Sequence, residues 1–249
     1  MSDTLESNGT AVVNWEEKLA SFAQEAAKEE AIAGTWVSVK AGRLTIDKVP
    51  VAGNVLDCVV IAHAYENVYY DTKFDPNNPK PPACYAIGTD HEDEMVPHEK
   101  AAKQQAENCF SCPKNQWGSD PAGGKGKACK NIRRLALLPA DALKDAEAVK
   151  VAEPVYLKTP VMSVRNWAAY VNATAAEFKR PPFAVMTQIS SAPDAKAQFK
   201  LTFKAAYKVT EPEVLEALVK RHEQELSTIN FPYTVEASAP EAETENEKF

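Results

Sequence analysis

The segment from residue 113 to 128, PKNQWGSDPAGGKGKA, holds almost no side chain able to build a core, yet cysteines bound it on both sides. Cys109 and Cys112 form a C-x2-C knuckle with Pro113 directly after it, and sixteen residues separate Cys112 from Cys129. A stretch of this composition cannot order itself by hydrophobic burial. A metal clip would supply the missing stability, and thiolates at these spacings fit a tetrahedral structural Zn2+ site. Cys84, just behind Pro81-Pro82, is the expected fourth ligand, with His98 or His91 as substitutes. Four protein ligands leave no open position, so the expected metal is structural and not catalytic. A thioredoxin-like redox pair is the competing reading, but no βαβ pattern surrounds the knuckle and a third cysteine lies near. Cys58, inside DCVVIAHA, reads as a buried packing residue, and His63 of the same stretch as a core or surface histidine.

Charge is divided unevenly along the 249 residues, whose formal net is −7. Residues 1–30 carry seven acidic and two basic side chains, and residues 236–249 five glutamates and one lysine. What remains between them is slightly basic, and residues 109–134 hold six basic side chains against Asp120 alone. Lys114, Lys125, Lys127, Lys130, Arg133 and Arg134 therefore form a basic patch around the cysteine loop, with Trp117 among them. Cations follow a phosphodiester backbone and an aromatic face stacks on a base, a pairing suited to single-stranded nucleic acid. Tyr69, Tyr70 and Phe74 offer more rings and Lys73 another cation, and alternation puts Tyr70 and Phe74 on one face and Tyr69 on the other. Core packing explains such rings equally well. Lys179, Arg180 and Phe183 extend the basic surface or merely end a helix in solvent.

Hydropathy patterning predicts an α+β chain. Residues 1–12 read as disordered, and 13–31 as an acidic amphipathic helix closed by Gly34. Short strands are expected near Trp36–Val39, Leu44–Ile46, Leu56–Ala64, Val68–Phe74, Cys84–Ile87, Arg133–Leu138 and Pro154–Leu157, then at Ala184–Ile189 and Gln198–Tyr207. A helix-like segment is expected at Glu99–Asn108, a helix capped by Ser163 over Ser163–Phe178, and a last helix at Glu213–Thr228. The architecture expected is one OB-like antiparallel β-barrel domain over 13–235, with peripheral helices, a zinc-binding insertion at about 84–131, and a mobile acidic tail at 236–249.

Several function classes find no support. GGKGK at 123–127 is not a nucleotide-hydrolysing P-loop, because Ala128 follows it and no helix clearly begins there. There is no dinucleotide fingerprint, nucleophile elbow or HExxH, so no catalysis is expected. A nuclease or annealing recombinase would need acidic ligands converging with Asp71 and Asp75, and the sequence offers no such cluster. No apolar run reaches membrane-spanning length. MSDTLESNGT lacks the basic and apolar regions of a secretory signal, so the expected compartment is cytoplasmic.

The stretch C-x2-C-P-K-N-Q-W-G-S, then G-K-G-K-A-C-K and R-R-L, with PPACYAIG before it, resembles a motif of phage single-stranded-DNA-binding proteins. The likeness runs over roughly residues 81–138. The acidic tail ending in Phe249 is also similar to those of bacterial and phage proteins of this kind. The resemblance implies an OB-fold, a zinc subdomain, DNA replication or recombination in a bacteriophage-infected bacterial cell, and recruitment of partner proteins through Phe249. It also implies that the tail competes with DNA for the basic groove. Four cysteines depart from the mixed histidine–cysteine site of the T-even phage member. The alternative is a zinc-containing regulatory or interaction protein that binds duplex nucleic acid or a protein partner. Homo-oligomerisation stays open.

Overall fold

A computed structural model describes residues 34–72, 80–90 and 94–233. The helix expected at 13–31, Phe74, His91 and the segment 234–249 with Phe249 lie outside these described residues. The described chain is α+β: one nine-stranded sheet and few helices. The strands are β1 (Thr35–Lys40), β2 (Arg43–Ile46), β3 (Val49–Pro50), β4 (Val55–Tyr69), β5 (Cys84–Gly88), β6 (Lys130–Pro139), β7 (Val155–Thr159), β8 (Val185–Asp194) and β9 (Gln198–Lys208). The helices are α1 (Ala146–Val151), α2 (Val164–Ala173) and α3 (Pro212–Thr228). Among the described residues, no helix is long and apolar enough to cross a membrane.

The sheet order is β3-β2-β1-β7-β6-β4-β8-β9, with β5 paired to the far end of β4. All pairs are antiparallel except β1 with β7. Ala41 (φ 49°) and Gly42 (φ 76°) both take positive φ in the tight β1–β2 turn, a conformation that Gly42 adopts without strain. The sheet curls into a half-barrel. Its two ends approach without strand pairing: Ser191 of β8 donates to the Gly42 carbonyl, and Asn54 bridges Gly42 and Ser191. Val37 and Leu44 from one end and Ile189 and Leu201 from the other therefore share one interior with Leu135, Leu137 and Leu157.

β4 is the spine, and a bulge at Val60–Ala62 controls it. Before the bulge, Val59 and Ile61 face α3, while Leu56, Cys58 and Val60 face the curled interior. One extra residue reverses the parity. Beyond it Ala62 and Ala64 face the α3 side, and Tyr65 and Tyr69 continue the opposite face. On the α3 side Val214, Ala217 and Leu218 pack on Ala136, Leu138 and Val149. Fully burying a valine or leucine side chain such as Val214 or Leu218 stabilises by ~1.5–3 kcal/mol. Trp167 and Tyr170 of α2 fill the opposite interior.

Three expectations are corrected. The strand expected at Val68–Phe74 is the end of β4, which stops at Tyr69. No helix forms at 99–108, because that segment follows the free edge of β5: His98 N–H donates to the Tyr85 carbonyl (2.8 Å) and Lys103 N–H to that of Ala83 (2.7 Å). Ser163 does not cap α2; its hydroxyl is buried and accepts from Leu201 N–H (2.9 Å), covering the edge strand β9 together with Asn166. The barrel-like curl agrees with the expected fold class at this coarser level.

Candidate functional site

The strand ends assemble the cysteine region. Tyr69 pairs with Cys84 on one side of β4, while Val68 pairs with Lys130, the residue after Cys129, on the other. The loop between β5 and β6 returns across this end with Cys109 and Cys112. All four cysteines are buried and free, and they line one cavity of about 10 Å3, close to the space of a single water-sized sphere. Burial raises the thiols of Cys84, Cys109 and Cys129, the last to about 12, and the proximity of the other thiols adds to each. Such thiols stay neutral until a cation displaces their protons. Among the described residues, no three His, Cys, Asp or Glu side chains stand together at metal-holding geometry. The convergence is one of neighbourhood and donor chemistry, not of a formed coordination shell. Cys58 is elsewhere, fully buried, with its thiol pushed far up by desolvation.

Backbone and amide contacts hold the loop around the cysteines. Cys129 N–H donates to the Lys114 carbonyl (2.8 Å) and Cys109 N–H to that of Met95 (2.9 Å). Asn115 donates from Nδ2 to the Cys109 carbonyl (2.8 Å). Asn115 also accepts from Asn131 Nδ2 (2.9 Å), and Asn131 bonds in turn to Asn67 of β4. The Lys127 ammonium donates to the amide oxygens of Asn131 (3.0 Å) and Asn115 (3.3 Å). A chain of three amides thus ties the loop to the sheet and fixes a lysine at the junction.

Cations sit over rings along the same face. Arg133 Cζ lies 4.0 Å from the centre of the Tyr65 ring, Lys114 Nζ lies 5.4 Å from Tyr69, and Lys127 Nζ lies 5.3 Å from Trp117. Trp117 is 79% exposed, and Lys125, eight residues later in the same loop, is exposed as well. Lys130 is exposed but paired with Asp120 (2.8 Å). His63, whose basicity falls through burial and then the nearby Arg133 charge, stacks edge-on against Trp167 where this face enters the core.

Two residues of the expected nucleic-acid set lie elsewhere. Arg134 is 1% exposed. Its Nε donates to Glu66 (2.8 Å) and its Nη1 to the carbonyls of Ile229 (3.0 Å) and Phe231 (2.7 Å), so it cannot reach a phosphate. Tyr70 is half-exposed near Tyr233 and Glu66, on the Arg134 side. Tyr69, expected on the opposite face from Tyr70, is the ring that joins the basic loop. Tyr65 also belongs to this face, as the two-residue spacing of Tyr65, Asn67 and Tyr69 along β4 signals. His98 stacks on Tyr85 and bonds to its hydroxyl, with Nδ1 also accepting from Lys100 N–H.

Comparison with known proteins finds no matching family model, no matching curated protein and no matching solved structure.

Proposed function

We propose that this chain is an OB-like, non-enzymatic protein that binds single-stranded DNA without sequence preference, in phage replication or recombination. The observation that carries the proposal is the row of cation–ring pairs on one face: Arg133 with Tyr65, Lys114 with Tyr69, and Lys127 with Trp117. Tyr65 and Tyr69 are four residues apart on one strand, about 13 Å at 3.3 Å per residue. That spacing leaves room for unstacked bases, and the adjacent ammonium and guanidinium groups meet the phosphates. A duplex keeps its base faces covered and gains less from this surface. A structural zinc ion held by Cys84, Cys109, Cys112 and Cys129 completes the proposal. The ion would draw the four thiolates together and fix the loop that carries Trp117. The acidic segment with Phe249 is assigned to partner proteins and to competition for the basic face.

Fluorescence anisotropy with labelled oligo-dT across a salt series, competed with duplex DNA, tests this. The expected result is tight binding that weakens steeply with salt and that duplex displaces poorly. Equal displacement by duplex would favour the interaction-protein alternative, and no binding at low salt, with or without residues 236–249, would reject the proposal.

A further inference from the structure

Phe110 lies inside the C-x2-C knuckle and is 69% exposed, although a phenylalanine ring gains ~1.5–3 kcal/mol by leaving water. The backbone around it is not free to fold the ring inward. Asn108 Oδ1 accepts from both the N–H and the hydroxyl of Ser111, each at 2.8 Å, closing the turn that contains Phe110. Gln116 Nε2 donates to the Phe110 carbonyl (2.8 Å) and to that of Cys112 (3.2 Å). Gln116, the residue directly before Trp117, thereby clamps the knuckle to the tryptophan's part of the loop. Two large rings are held out into solvent from adjoining positions of one pinned loop.

We propose that Phe110 is a second base-stacking residue, which with Trp117 makes the cysteine loop a gripping element for single-stranded nucleic acid. The inference rests on the single-strand reading above and deepens it. Charge selects this occupant over an apolar protein pocket. Asp120 is the only acid in residues 109–131, and Lys130 already engages it (2.8 Å). Lys114, Lys125 and Lys127 share the loop. Planar rings set among lysines match a nucleobase attached to a phosphate. Because the loop is already ordered, stacking does not have to offset the cost of fixing it.

The test compares Phe110→Ala, Phe110→Leu, Phe110→Tyr and Trp117→Ala in the full-length protein, by anisotropy with oligo-dT and by thermal unfolding. Phe110→Ala is expected to weaken binding by roughly five- to hundredfold, the range of one base–aromatic stack, with an unchanged melting temperature. Phe110→Tyr keeps wild-type affinity, and Phe110→Leu behaves like Phe110→Ala, because stacking needs a π-face. A 2-aminopurine base in the oligomer is quenched by wild-type protein and less by Phe110→Ala. If Trp117→Ala weakens binding and Phe110→Ala does not, the inference is overturned while the single-strand reading stands. Full affinity in Phe110→Leu also overturns it, since the ring then offers only apolar contact. If the wild-type protein itself fails to bind, the single-strand reading falls first, and the inference with it.

Discussion

Arg133 and Arg134 are sequence neighbours on β6, and strand alternation sends them to opposite fates. Arg134 goes to the α3 side. There it meets Glu66, which is fully buried, and the carbonyls that follow α3. Lys158 and Tyr233 take the other carboxylate oxygen, so both oxygens of Glu66 are engaged inside the molecule. Arg133 goes to the open face and lies over Tyr65 at the beginning of the basic row. One guanidinium holds the chain after the last helix to the sheet; the other lies over a tyrosine ring on the opposite face. The same chemical group thus serves fold or surface according to one residue of register.

The largest expected effect breaks the buried side of that comparison. Arg134→Ala leaves Glu66 desolvated with only Lys158 as a cationic partner, and should destabilise by ~3–5 kcal/mol. Arg133→Ala should change stability by no more than about 1 kcal/mol and weaken oligo-dT binding instead. Chemical denaturation of both variants checks this. Near-equal losses of stability would erase the distinction between the two faces. A Glu66→Leu, Arg134→Met double variant should recover part of the loss, because the buried carboxylate is gone and Lys158, which loses its partner, is one-third exposed to solvent.

Next in size is the contrast between a sheet held by burial and a loop held by its cysteines. The expected metal content is one zinc per chain, falling to none in Cys112→Ser and unaffected in Cys58→Ala. Chelation or Cys112→Ser should open residues 113–128 to proteolysis while the far-ultraviolet signature of the strands persists. A metal-free wild-type protein whose loop already resists protease would refute the metal clip.

A smaller effect sharpens the open side. Each phosphate-contacting cation removed should lower the slope of log K against log salt by about 0.7 for a single strand. Lys127→Ala and Arg133→Ala are expected to do so, and Lys144→Ala, on the far side of the β6 end, is not. Unchanged slopes in the first two would move the DNA path off this face.

Much of the sheet was legible because its strands alternate cleanly or run apolar, as in Phe199, Leu201 and Phe203 of β9. The four-cysteine neighbourhood was legible from spacing. Three things were not. Arg134's burial depends on Glu66, 68 residues away, and basic clusters in sequence do not disclose such partners. The bulge at Val60–Ala62 sets which tyrosines of β4 reach the loop, and no glycine or proline marks it. The polar run 99–108 lies beside β5, tied there by Lys103 N–H to the Ala83 carbonyl, a tertiary choice that local propensity does not encode. The short helix α1 has a cap in Asp145, which accepts from Ala148 N–H (2.7 Å), but its six residues are too few to show a hydropathy period.

The smallest expected effect follows from the acid–base behaviour of Glu66. Burial alone would raise its pKa, but Arg134, Lys158 and the Tyr233 hydroxyl outweigh that, and the net shift is downward from 4.5. A carboxylate with a depressed folded pKa binds protons more readily in the unfolded chain. Its stabilising contribution is therefore complete above the unfolded value and is lost as pH falls through the folded one. Wild-type stability should decline below about pH 4.5. The exposed ion pairs Lys130–Asp120 and Lys220–Glu216 also have depressed carboxyls, but solvent screens them and they add little. In the Glu66→Leu, Arg134→Met variant the acid limb of the stability curve should flatten. Raising salt should leave the wild-type limb in place, because a buried pair is poorly screened. An acid limb identical in the two proteins would mean that the buried cluster does not control the acid response, and that the two faces of β6 differ less in their electrostatics than in their exposure.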